Sequence, residues 1–205
     1  MGKISHIIGI DEAGRGPLAG SVAVGAVIMS RLHLAKIKGH RMSRKISLPK
    51  LRDSKKLSAK QREEWFEFLK QEKKRGNLNF AVALVSEKII DEQGIVRAIK
   101  IGIKKCLKKL KADPTRSLVL LDGSLKAPAE FINQRTIIRG DESEPIISLA
   151  SIVAKVTRDR RMIQLAKKYP NYGFEIHKGY GTKKHYRAIK KLSPTKVHRK
   201  TFLNS

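Results

Sequence analysis

Residues 7–20 read Ile-Ile-Gly-Ile-Asp-Glu-Ala-Gly-Arg-Gly-Pro-Leu-Ala-Gly, and they restrict the fold more tightly than any other stretch. Ile7, Ile8 and Ile10 put three branched apolar residues in four positions, the pattern of a short buried strand. That strand runs straight into two adjacent carboxylates, Asp11 and Glu12. Gly14, Gly16, Pro17 and Gly20 then force the chain to turn. Side chains alternate faces along a strand, so Asp11 and Glu12 cannot share a face while it stays regular. The expectation is a strand that ends at Asp11, with its carboxylate at the sheet's end and Glu12 swung round by the bend. Glycines beside such carboxylates let a backbone approach a ligand closely. Taken alone, an Asp-Glu pair also reads as a salt-bridged turn.

The length of 205 residues suits one domain with a small appendage, divided here into residues 1–168 and a basic extension over 169–205. A hydrophobic share of 40% is enough for a real core and argues against global disorder. The single cysteine, Cys106, excludes an internal disulfide and a cysteine-based zinc site. It lies in an apolar helical pattern and reads as a buried thiol. No apolar run approaches the ~18 residues of a membrane span, and no signal-peptide core is visible at the N-terminus. A cytoplasmic monomer is expected. The 45 Lys and Arg residues against 18 Asp and Glu give a net charge of +27, which calls for a polyanionic partner. The charge is clustered: positions 31–56 hold ten basic residues and the single acid Asp53, and positions 176–205 hold nine and no acid. Phosphate contacts of this kind carry no sequence preference.

Hydrophobic periodicity places a second strand at Val22–Met29, in a hairpin with the first, and a third at Phe80–Val85. Ser58-Ala59-Lys60-Gln61 is a capping box that opens a helix closed by Gly76, with Trp65 on its core side. Another helix carries Ile95, Ile99, Ile103, Cys106, Leu107 and Leu110. Leu118–Leu121 is a fully apolar strand, and Ile137 and Ile138 mark a fifth. Glu144 and Pro145 start a central buried helix that Tyr169 and Pro170 end. A last helix spans Lys183–Lys191. The basic stretch Arg31–Lys50 reads as a surface loop or lid. A hairpin and strand followed by alternating helix and strand give an α/β layered fold.

Asp122 repeats the arrangement of Asp11: it follows an apolar strand and precedes Gly123. Carboxylates ending two neighbouring strands would sit side by side. Asp141, just before the central helix, is placed where a helix N-terminus favours negative charge. Carboxylates clustered without softer ligands suit hard cations such as Mg²⁺ or Mn²⁺. Asp159 is a rival that reads better as an ion-pair partner of Arg158 and Arg160. His177 and His185 read as surface or supporting groups.

The decapeptide Asp11–Gly20 resembles the opening motif of ribonuclease HII. The resemblance continues through Arg52–Ser58, Leu121-Asp122-Gly123, Gly140-Asp141, Ala150–Arg160 and Gly173–Thr182, in the family's order and approximate spacing. It implies a ribonuclease H-like fold: a five-stranded mixed sheet flanked by helices, with a helical C-terminal extension. It implies that Asp11, Glu12, Asp122 and Asp141 hold two metal ions during catalysis. It implies that Gly14, Arg15 and Gly16, together with Tyr180 of the Lys-Gly-Tyr-Gly-Thr motif, recognise a ribose 2′-OH. Lys55, Lys56 and Lys178 are candidates for phosphate contact. The implied activity is an endoribonuclease acting on RNA–DNA hybrids and on the 5′ side of ribonucleotides embedded in duplex DNA, with 3′-OH and 5′-phosphate products. No substrate-binding domain precedes the Asp-Glu motif, which argues against ribonuclease HIII. The rival readings are a non-catalytic basic RNA-binding protein and another metal-dependent nuclease on the same fold.

Overall fold

The computed structural model describes residues 4–38, 54 and 56–203. Five strands form one mixed sheet in the order β3-β2-β1-β4-β5. The central strand, β1 (His6–Ala13), pairs antiparallel with β2 (Val22–Ser30) and parallel with β4 (Ser117–Asp122). β3 (Leu78–Val85) extends the antiparallel side, and β5 (Gln134–Ile137) extends the parallel side. This is the five-stranded mixed α/β sheet that the sequence implied.

Parallel pairing of β1 with β4 requires a long crossover. It contains α3 (Glu87–Leu110), which kinks at Gly94 and lays Ile99, Ile103, Cys106 and Leu107 on one face of the sheet. Ile8 and Ile10 of β1 belong to the same core. The Cys106 thiol is buried and donates to the Val24 carbonyl at 3.2 Å. The opposite face carries α1 (Arg31–Lys38), α2 (Ala59–Lys74) and α5 (Pro145–Lys168). The capping box of α2 is formed at Ser58 and Gln61, and Trp65 is in the core. No described helix is long and apolar enough to cross a membrane.

Three sequence expectations change. β1 does not end at Asp11: Glu12 and Ala13 stay in the ladder opposite Val24 and Ala23, because β2 offers partners that far. Arg31–Lys38 is helix rather than loop, since Leu34 and Ile37, three residues apart, both reach the core. Residues 39–50 of that predicted lid lie outside the described residues. The fifth strand stops at Ile137, and Ile138 is exposed.

The end of the chain returns to the sheet. Tyr172, Phe174 and Val197 pack on Ala19, Met162 and Leu165. Leu18 N–H donates to Gly179, Gly20 N–H donates to Val197, and Leu18 carbonyl accepts from Arg199 N–H, each at 2.8 Å. The segment adds three short helices, α6 (Phe174–His177), α7 (Lys183–Leu192) and α8 (Lys200–Leu203); α4 (Gly140–Ser143) precedes α5.

Helix α5 lies unusually near the sheet. A Cβ at Gly9 would stand 2.2 Å from the Ile146 carbonyl oxygen, and one at Gly25 would stand 2.4 Å from that of Ala150. Backbone obstructs both positions, so neither can be relieved by a side-chain rotation. Gly9→Ala or Gly25→Ala is expected to destabilise the protein by about 1–3 kcal/mol, the usual cost of overpacking. Chemical denaturation checks it, and unchanged stability in both variants would refute this account of the packing.

Candidate metal centre and its glycine loop

Neighbouring strands carry Asp11, near the end of β1, and Asp122, the last residue of β4, and the Arg139–Gly140 turn brings in Asp141. Their carboxylates each offer an oxygen, and these oxygens all lie within 4.8 Å of one another. Asp11 and Asp141 are buried. Backbone fixes the group: one oxygen of Asp122 accepts from Gly140 N–H at 2.7 Å and from Asp141 N–H at 3.4 Å. Asp11 accepts from Glu12 N–H at 2.7 Å. The Asp141 carbonyl accepts from the Ser148 hydroxyl of α5 at 2.6 Å. Three hard oxygen donors with no thiol or imidazole among them suit a cation of the magnesium or manganese type.

Glu12 is not among those three. Its carboxylate lies 3.7 Å from Arg15. It still acts on the centre through its charge. Burial holds the Asp11 carboxyl well above the ordinary carboxylate range, and the charges of Glu12 and Asp122 push it the same way, while the Ser151 hydroxyl opposes them. Ser151 in turn bonds Ser54 at 2.7 Å. Asp159 is the ion-pair residue expected, but its partner is Lys155 at 2.9 Å. Arg160 reaches Glu63 instead.

Beyond β1 the glycines separate into two kinds. Gly14 has φ +88, and a Cβ there would strike the Arg158 side chain at 1.8 Å. The fold itself demands that glycine. A Cβ at Gly16 would meet nothing within 4 Å, and Gly16 and Arg15 are exposed. Nothing inside the protein requires a glycine at 16, which leaves room for an incoming ligand. Tyr180 is also exposed, with the Arg158 guanidinium 5.8 Å from its ring centre. Lys178 bends back to bond the Glu175 carbonyl, and Lys56 pairs with Glu142 at 2.9 Å. Lys55 lies outside the described residues.

Sequence reasoning missed the groups that hold this loop. Arg158 and Arg199 are fully buried. Arg158 donates to the carbonyls of Ser21 at 3.1 Å, Lys178 at 3.0 Å and Ala19 at 3.3 Å. Arg199 donates to those of Gly20 at 2.9 Å, Arg15 at 2.8 Å and Gly14 at 2.7 Å. Burial lowers the Arg199 guanidinium to about 9, and the nearby Arg158 charge adds to this. In sequence an arginine bound to carbonyls cannot be told from one in an ion pair.

His177 and His185 are buried, not surface groups, and His198 joins them. His177 and His185 stack with ring centres 4.3 Å apart, and the Nε2 atoms of His185 and His198 lie 3.1 Å apart. His177 Nδ1 accepts from Gly179 N–H at 3.1 Å, and His185 Nδ1 bonds the Tyr180 carbonyl at 2.9 Å. The trio therefore supports the glycine-flanked tyrosine from below.

Burial lowers His185 from 6.5 to about 4, and lowers His177 and His198 too. The unfolded chain thus binds more protons than the folded one between these values. The contribution of His185 is complete above about pH 6.5 and is lost as pH drops toward about 4, at about 1.4 kcal/mol per pH unit in between, and His177 and His198 act in the same direction. Asp91 and Asp113, whose carboxyls are lowered mainly by the Thr201 and Thr115 hydrogen bonds that outweigh burial, act only further down. Denaturation curves of Asp11→Asn, which lacks the opposing buried carboxyl, check the slope across that window; a flat profile contradicts it. The sign is opposite for Asp11. Its raised carboxyl means that ionisation penalises the folded state without a cation. Asp11→Asn is expected to raise the metal-free melting temperature, by about 2–4 °C for each kcal/mol relieved, and to shrink the rise that Mg²⁺ produces. Calorimetry in chelator and in Mg²⁺ decides.

The ribonuclease HII family model matches residues 8–205. A ribonuclease HII from Caldicellulosiruptor bescii is 44% identical over 199 residues, covering 97% of this chain and 87% of its own. Another, from Endomicrobium trichonymphae, is 44% identical over 196 residues, covering 96% and 84%. The solved structure of ribonuclease H2 from Pyrococcus horikoshii has a TM-score of 0.70 at 25% identity, covering 96% of this chain and 93% of that one. Matches of this extent, over a chain that brings three aspartates together, establish that the protein belongs to the ribonuclease HII family of metal-dependent endoribonucleases.

Proposed function

We propose that the chain hydrolyses the RNA strand of RNA–DNA hybrids and the 5′ side of ribonucleotides embedded in duplex DNA, leaving 3′-OH and 5′-phosphate ends. The observation that carries this reading is the convergence of Asp11, Asp122 and Asp141, with Asp11 three residues before a loop whose Gly16 faces open space. Asp11, Glu12, Asp122 and Asp141 hold the cations. When bound, two Mg²⁺ or Mn²⁺ ions supply positive charge for the attacking water and the leaving oxygen of phosphodiester hydrolysis.

The chain's own residues do the selecting. The backbone of Gly14, Arg15 and Gly16 seats the ribose, and the exposed Tyr180 stacks or bonds against it, so that a 2′-OH distinguishes RNA from DNA. Lys55, Lys56 and Lys178 contact phosphates, Lys56 exchanging its Glu142 partner for the backbone of the duplex. Residues 1–168 supply the chemistry, and 169–205 close the binding loop. A basic RNA-binding protein without activity would have no use for three like charges brought together.

The test compares variants on a duplex with one ribonucleotide. Losing even a partner of a metal ligand costs ~10–100-fold, so Asp122→Asn is expected to drop cleavage further while binding survives. Gly16→Ala is expected to keep the parent's melting temperature but lose kcat/KM on the order of a hundredfold, the cost of a small misplacement. Parental turnover by Asp122→Asn at saturating Mg²⁺ would sink the reading.

A further inference from the structure

We infer that Arg158 and Arg199 are positioning residues, which aim the N–H groups of Arg15 and Gly16 at the ribose of the substrate. The inference rests on the reading of the Gly14–Gly16 loop as the ribose seat. Arg199 gathers the carbonyls of Gly14, Arg15 and Gly20 onto one guanidinium. In a trans peptide the carbonyl and the following N–H point opposite ways, and no described peptide is cis. Pulling the Gly14 carbonyl inward therefore turns the Arg15 N–H outward. Pulling the Arg15 carbonyl inward does the same for Gly16 N–H. Both residues are exposed, and the space over Gly16 is open.

Arg158 fixes the other side. Its side chain fills the space where a Gly14 Cβ would stand. Its guanidinium binds Ala19 and Ser21 of the loop and also Lys178, two residues before Tyr180. One side chain thus sets the distance between the glycine loop and the tyrosine. All six hydrogen bonds end on peptide carbonyls. A turn that needed only to be tied down could use neutral donors and avoid burying two like charges. Guanidiniums polarise the peptides they hold, and they place positive charge beneath a surface that meets a polyanion.

The experiment measures kcat and KM on a single-ribonucleotide duplex for Arg199→Lys, Gly16→Ala and the double variant, each well below its melting temperature. Lysine keeps the charge but lacks the planar fork that reaches three carbonyls. Arg199→Lys is expected to keep the Mg²⁺-induced rise in melting temperature and to lose kcat/KM by at least about tenfold. The double variant is expected to be no worse than the poorer single variant, because both changes remove one contact. Losses that multiply in the double variant overturn the inference, as does an Arg199→Lys protein that melts lower but cleaves like the parent. If neither Arg199→Lys nor Arg158→Lys folds, the pair is a purely structural clamp and the inference is overturned. Parental cleavage by Gly16→Ala removes the ribose seat itself; parental cleavage by Arg199→Lys beside a disabled Gly16→Ala removes only the role of the arginines.

Discussion

The backbone of α5 rests directly on the backbone of β1 and β2 at Gly9 and Gly25, and the site depends on that contact. A side chain at either position would hold the helix away from the sheet. Once seated, α5 works as a ruler. Ser148 braces Asp141, Ser151 bonds Asp11, and Arg158 enters the glycine loop. Positions 148, 151 and 158 fall on one stripe of a helix and span about 15 Å at 1.5 Å per residue. Register between helix and sheet therefore sets the spacing from the aspartate cluster to the glycine loop.

Along that ruler the protein works against its own stability at both ends. Asp11 is buried beside Glu12 and Asp122, which disfavours its charge. Arg199 is buried near Arg158, which disfavours its charge as well. Like charges concentrated at a binding site are a common cost of function. The two groups do not neutralise each other, because each guanidinium is taken up by carbonyls. One end thereby stays negative and the other positive.

Most of this architecture was legible because its signals are local. Strand alternation, the Ser58 capping box and the proline that opens α5 each reside in a few consecutive residues. The pairing of Asp11 with Asp122 followed from two strands ending alike. What escaped depends on distant neighbours. Arg158 sits among Asp159 and Arg160 and looks like an exposed ion-pair residue, yet its partners lie in residues 19–21 and at 178. His177, His185 and His198 have no ligand-like spacing and meet only when the chain's end folds back. The unequal roles of Gly14 and Gly16 were also invisible, because they depend on what surrounds each Cα. β1 outran Asp11 because β2 kept offering partners, a fact about pairing and not about composition.

The hydrogen bonds from Arg199 to Gly14 and Arg15 join residues 185 and 184 positions apart. Chains are made from the N-terminus, and contacts of such separation close late. On the ribosome, the Asp-Glu motif and its glycine loop emerge long before the guanidinium that sets them. The strands can pair and the aspartates can converge while the loop still lacks its anchor. The order of synthesis thus separates the cutting apparatus from the part that holds its target. Until Arg199 has emerged and folded back, a nascent chain carries a glycine loop without its anchor.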